Sequence, residues 1–181
     1  MDIQTLSKQV ESIDDEPPFD KWHPTHCGDI DIKIAKDGRW YHEGSPIGRI
    51  ALVKLFARVL IIEHGEFFLK TPAEKMRIQV EEVPFVITNW HQSQNKGQNT
   101  IEVTTNLDHT VTISEQHPIE LKITESNEPQ IYIEIHRGLN AKVHRNVYYQ
   151  WVEIAQETVL NNQHHLIIES AGMEFSLGCI D

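Results

Sequence analysis

Two arginines stand near the start of the two most helix-like segments of this chain, and a guanidinium beside free helix N–H groups can receive a phosphate or a carboxylate. The segment 46–59 opens with Ser45-Pro46, a capping serine followed by proline at the first helical position, and puts Arg49 on one stripe with Val53, Phe56 and Leu60. A second helix expected over 146–157 puts Arg145 on a stripe with Tyr149 and Val152, with Tyr148 beside them. Both arginines thus read as lying on apolar faces near a helix N-terminus, where a positive charge opposes the macrodipole by a few tenths up to ~1 kcal/mol. An anion is expected to compensate each one. Glu43 and Glu134, just upstream, serve if the pairs are structural, and a ligand serves if the arginines form a site.

Other reactive side chains are sparser. His23, His26 and Cys27 in H-P-T-H-C-G resemble part of a zinc site, but no second pair of ligands follows at metal-binding spacing, and His164-His165 is distant. Cys27 as a nucleophile would find bases in His23 and His26, while Asp29 and Asp31 oppose a thiolate. Eleven histidines include no H-E-x-x-H, and there is no G-x-S-x-G elbow, P-loop or G-x-G-x-x-G. No catalytic constellation emerges and no cofactor or metal is implied. The aromatics Trp40, Tyr41, Phe56, Tyr132, Tyr148, Tyr149 and Trp151 read first as core and second as platforms for a planar ligand.

Bulk properties narrow the field. A formal net charge of -11 without any Lys/Arg-rich run excludes a phosphate-backbone polymer as partner, though not a small anion. The first residues are polar and acidic, unlike a secretory leader, and the apolar stretch 47–62 carries Arg49, Lys54 and Arg58 and is too short for a bilayer. Two cysteines make no disulfide framework, so a cytoplasmic protein without membrane contact is expected.

The elements that must position these residues follow from periodicity. Ile3, Leu6, Val10 and Ile13 predict a short helix. Alternating Ile30, Ile32 and Ile34, then Asp37-Gly38 and Trp40, predict a hairpin, and a second one spans 61–70 with its turn at His64-Gly65. Thr71-Pro72-Ala73-Glu74 reads as a capping box opening one helical turn before a strand to about residue 86. The polar stretch 89–99 reads as a linker, dividing the chain into domains 1–90 and 91–181. Strands are expected at 101–105, 110–113, 119–123, 131–135, 166–169 and 173–177. Tyr41-His42-Glu43 ahead of Arg49 and Tyr132-Ile133-Glu134 ahead of Arg145 suggest a weak internal repeat.

Cys27-Gly28, Asp37-Gly38-Arg39-Trp40 with His42, Arg49 before Leu55-Phe56, and Thr71-Pro72-Ala73-Glu74-Lys75 carry a resemblance in the first half. Pro84-Phe85, Asn106, His117-Pro118 and Arg137-Gly138-Leu139-Asn140-Ala141 leading to Arg145 continue it. From about residue 18 to residue 178 the chain resembles a bacterial family catalogued as domain of unknown function 1285. The resemblance implies an α+β fold of two small domains with a duplicated core of antiparallel strands plus one helix each, the C-terminal half pleckstrin-homology-like. It also implies a nucleotide-like ligand at the domain interface and a role in signal transduction, with a signalling protein as a possible partner. Arg49, Arg145 and Arg137 would take the phosphate, Trp40 or Tyr148 would stack the base, and His42 lies among them. His136 stands where the resemblance leads one to expect valine. Two other readings remain: a hydrolase of a small phosphorylated substrate with His42 or His117 as base, or a protein-interaction module without a ligand.

Overall fold

The computed structural model describes residues 3–13, 17–95, 97–124, 128–160 and 162–180, which form two compact units, Met1–Pro84 and Phe85–Asp181. In the N-terminal unit, helix α1 (Ile3–Glu11) and a 3-10 turn (Phe19–Lys21) precede strands β1 (His26–Ile34), β2 (Trp40–His42) and β3 (Ser45–Pro46). Helix α2 (Ile50–Arg58) leads to β4 (Leu60–Glu63), β5 (Glu66–Lys70) and β6 (Glu74–Val80). The six strands form one sheet in the order β3-β2-β1-β6-β5-β4. Each group of three is antiparallel, and the groups meet through β1 and β6, which run parallel. A parallel pair needs a crossover, and α2 lies on the connecting chain.

Alternation sets the buried face. Ile30, Ile32 and Ile34 point into the core and Trp40 continues their face, stacked on Phe56 of α2 with ring centroids 6.5 Å apart. Val53, Phe56 and Ala57 are the buried stripe of α2, and α1 packs against that helix through fully buried Leu6 and Val10. Truncating a ring such as Phe56 to alanine typically removes about 3–5 kcal/mol.

The C-terminal unit runs β7 (Phe85–Asn95), β8 (Gln98–Thr105), β9 (Thr110–Thr112), β10 (Ile119–Ile123), β11 (Pro129–His136) and β12 (Leu139–Val143). Helix α3 (Arg145–Ile154), β13 (Gln156–Leu160), β14 (Gln163–Ser170) and β15 (Met173–Cys179) complete it. Strands β10-β11-β12-β7-β8-β9 form a six-stranded sheet with β12 parallel to β7, and β13-β14-β15 form a separate antiparallel sheet. Fully buried Ser170 ties the two sheets together: its Oγ accepts from Ile101 N–H at 2.9 Å and donates to the Ile113 carbonyl at 2.7 Å.

Both units contain the same run of a three-stranded meander, a helix and a second meander: β1 to β6 around α2, and β10 to β15 around α3. The counterpart of the β1–β6 pairing is the approach of β15 to β10 and β11, where a side chain at Gly178 would touch Pro129 and Leu121. The fold is therefore α+β with a duplicated core, and the C-terminal unit adds β7 to β9. Its helix packs on the strands, as the pleckstrin-like outline requires, but precedes the last three of them.

Several local expectations change. The boundary lies after Pro84, because residues 89–95 and 98–99 are paired strand of the long β7–β8 hairpin and not a linker. Ser45-Pro46 pairs with Tyr41 and His42 as β3, so α2 starts only after Arg49. Thr71 does cap Glu74, its Oγ1 accepting from Glu74 N–H at 3.1 Å, yet the segment is a turn from β5 into β6 and the Glu74 carboxylate takes Gln9 Nε2 instead. Strands β12 and β13 were not expected. The first lies behind the Arg137-Gly138 turn, and the second begins on the last two residues assigned to the helix.

Tight turns at Glu43-Gly44, His64-Gly65, Arg137-Gly138 and Ala171-Gly172 have positive φ at both positions, the form that matches strand twist. Gly44, at φ +74° with open space around its missing Cβ, separates conformation from packing. Gly44→Ala is expected to lower stability by about 1 kcal/mol. Gly48→Ala, equally open but outside the left-handed region, should be neutral or slightly stabilising. Urea denaturation midpoints of the two variants check this.

Candidate functional site

A cleft of about 280 Å³ opens where β11 begins, β12 ends and α3 starts. Ile131 and Val143, buried members of adjacent strands, supply apolar surface. The Gln130 side chain is held by two donations from Nε2, to the carbonyls of Val143 at 3.1 Å and Ile131 at 3.3 Å. Arg145, Tyr148 and Tyr149 come from the first turns of α3, and Glu128 and Pro129 complete the rim.

The α3 start is capped by His144, whose Nδ1 accepts from Asn146 N–H at 3.2 Å. Arg145 Nε donates to Tyr149 Oη at 2.7 Å, four residues on, and the guanidinium lies 5.4 Å from that ring's centroid. The Tyr149 hydroxyl, with Glu128 nearby, raises the Arg145 pKa above its ordinary value, so the cation is permanent. The terminal guanidinium nitrogens make no hydrogen bond among the described residues, which leaves the bidentate edge available. Tyr148 is half-buried, its ring 5.9 Å from that of Tyr149, and burial raises its phenol pKa. The arrangement offers one cation, two rings and an apolar floor. Such a set can hold a small anion attached to a planar group.

The structure places the other expected site residues elsewhere. Arg49 is exposed at the N-cap of α2 with φ −86° and ψ 97°, outside the helical region, so the helical-wheel stripe does not extend to it. Neither arginine meets the carboxylate expected: Glu43 lies in a tight turn, and Glu134 Oε1 accepts from Gly138 N–H at 2.8 Å. Arg145 is exposed too, because the buried stripe of α3 is Val147 and Trp151. Trp40 is 2% exposed and locked against Phe56, so it cannot stack a ligand. His42 is half-buried at the end of β2, paired with Ile32 and Ser45, and Arg137 occupies the β11–β12 turn at φ 53°. His117 donates from Nδ1 to the Glu134 carbonyl at 2.8 Å. Of the six residues, Arg145 and Tyr148 line the cleft. Cys27 lies exposed at the start of β1, opposite Lys75 of β6.

A second cluster had no sequence signal. His109 and His136 stack nearly parallel, 2° apart with centroids 5.4 Å apart, and Phe85 lies 5.6 and 5.8 Å from the two rings. Twenty-seven residues separate the two histidines, and only strand order brings them together. Burial lowers the His136 pKa to about 4, and the positive potential of His109 and Arg137 adds to it. A neutral, half-buried imidazole therefore fills the place where valine was expected.

Fold and cleft together define a strand-rich α+β protein of two units with a duplicated core. Residues 17–83 match the N-terminal domain of the domain of unknown function DUF1285, and residues 84–177 match the C-terminal domain of the same family; the chain belongs to the DUF1285 family. A crystal structure of a DUF1285 family protein from Silicibacter pomeroyi DSS-3 is 29% identical with a TM-score of 0.84, over 97% of this chain and 95% of that one. Another DUF1285 family protein, from Shewanella baltica OS155, is 30% identical with a TM-score of 0.53, over 67% of this chain and 90% of its own. No curated protein matches. No helix among the described residues is long and apolar enough to cross a membrane. Several residues that carry the family resemblance have structural work: Asn106 Oδ1 accepts from Val86 N–H at 3.0 Å at the start of β7, and Asp37 Oδ1 accepts from Arg39 N–H at 3.0 Å in the first hairpin.

The lowered His136 pKa fixes the direction of an acid effect. The unfolded chain binds this proton near pH ~6.5 and the folded one only near 4, so His136 favours folding above ~6.5 and that contribution is lost as pH falls through about 4. Between neutral pH and about pH 4.5, wild type is expected to lose roughly 1–2 kcal/mol more than His136→Val, after discounting for partial exposure. Paired urea titrations at the two pH values read the difference.

Proposed function

We propose that this protein is a non-catalytic binding module that takes a small nucleotide-like ligand in the cleft at the start of α3 and signals its occupancy to a protein partner in the cytoplasm. The observation that carries the reading is the Arg145 guanidinium, held by Tyr149 beside Tyr148 above the apolar floor of Ile131 and Val143. The guanidinium would take a phosphate edge-on, and a tyrosine ring would pack against the base. Glu128 at the rim limits the anionic charge the cleft accepts and favours a monophosphate or cyclic phosphate over a longer chain. A volume of about 280 Å³ suits a mononucleotide or a fragment of one.

The unpaired cysteines Cys27 and Cys179 suit a reducing compartment.

A thermal-shift series with mono-, di- and cyclic nucleotides tests the proposal. A ligand at a hundred times its Kd adds roughly 2.7 kcal/mol, or about 5–10 °C for a chain of this length. The shift should vanish in Arg145→Ala, shrink in Tyr149→Phe and persist in Arg49→Ala. A wild type unmoved by every nucleotide, or a shift that survives Arg145→Ala, overturns the reading.

A further inference from the structure

The side chain of Gln130 is held in one orientation by the chemistry of its partners. A primary amide has a donating corner and an accepting corner, and carbonyl oxygens only accept, so the contacts at 3.1 Å to Val143 and 3.3 Å to Ile131 require the amide nitrogen there. The reverse flip would set oxygen against two oxygens. Oε1 therefore takes the other corner. It has no hydrogen-bond partner among the described residues and, unlike the indole nitrogens of Trp40 and Trp151, is not sealed from solvent. Gln130 is half-buried and lines the cleft at the start of α3. Besides the Arg145 cation, the cleft thus has a fixed neutral acceptor, on a side chain that would lose two hydrogen bonds by moving. The phenol oxygens of Tyr149 and Tyr148 are engaged with Arg145 Nε at 2.7 Å and the Leu177 carbonyl at 3.5 Å. Gln130 Oε1 and the Glu128 carboxylate remain as side-chain acceptors of the lining.

We infer that Gln130 is the specificity-determining residue of this cleft, and that the planar group of its ligand carries an exocyclic amino group, as adenine, cytosine and guanine do, which donates to Oε1. The inference rests on the reading of the cleft as a nucleotide site and adds which bases that site accepts. Arg145 recognises the phosphate and has no means to tell one base from another, and a tyrosine ring packs on any base. A fixed acceptor supplies the discrimination. It gains a bond from an amino group, whereas a base without one leaves it desolvated and unpaired. A base carbonyl in the same place would meet it lone pair to lone pair. Glu128, the other acceptor, lies close enough to Arg145 to act on that charge.

Titration calorimetry of the full chain tests the assignment. The probes are adenine, cytosine and guanine nucleotides, as monophosphates and cyclic monophosphates, each beside the analogue in which hydrogen replaces the exocyclic amino group. The analogues keep the phosphate, the ribose and the aromatic ring. For each parent that binds, wild type is expected to bind the analogue about three- to tenfold more weakly. In Gln130→Met, which keeps the length of the side chain and removes the acceptor, parent and analogue should bind alike. Equal affinities in wild type overturn the inference and leave the nucleotide reading intact. Discrimination that persists in Gln130→Met belongs to another group, Glu128 first among them, and overturns it as well. If no parent nucleotide binds, the nucleotide reading fails and this inference with it. If Gln130→Met fails to fold, the parent and analogue pairs on wild type decide.

Discussion

The N-terminal unit depends on the parallel pairing of β1 with β6. Two antiparallel meanders can each form locally, but either alone leaves one apolar face uncovered and one edge open. Joining them in parallel forces a crossover, and α2 on that crossover brings Val53, Phe56 and Ala57 to cover the isoleucines of β1 and Trp40. The C-terminal unit repeats the scheme with β15 set against β10 and β11, where Gly178 takes φ +133°, a backbone conformation that L side chains rarely adopt.

Once the meanders are fixed, the starts of both helices are fixed with them, and so are the arginines. Arg49 belongs to the connection and takes extended backbone angles, which keeps its charge out of the core. Arg145 is the first residue of α3, on the side away from Val147 and Trp151, where Tyr149 holds it. Equivalent positions in the two halves therefore differ in consequence. The C-terminal one has a neighbouring hydroxyl, two rings and a cleft, whereas Arg49 stands exposed at the N-cap of α2.

Strand register also makes two unlike settings for histidine. His136 is stacked on His109 and Phe85 and kept neutral by burial, while His165 remains at the surface with a thiol on one side and a hydroxyl on the other. The first setting disfavours a proton on the ring.

The sequence by itself determined what local rules govern. Alternating isoleucines wrote β1, glycine turns wrote the hairpins, and the order of motifs wrote the family and the duplicated core. Local rules failed where a segment could satisfy two of them. Ser45-Pro46 serves as a helix start or a strand end, 89–99 is polar whether it is a linker or the tip of a hairpin, and α3 carries two stripes of which a wheel cannot choose the buried one. Of the eight residues that line the candidate cleft, Arg145 and Tyr148 were legible as site residues, because both lie on one short helix. Gln130 and Val143 were not, since they reach the cleft through β11 and β12, and β12 was missed. Only the tertiary structure decided which charges face solvent, which aromatic rings are core, and which histidines meet a ring or a thiol, because those contacts join residues far apart in sequence through strand order and register.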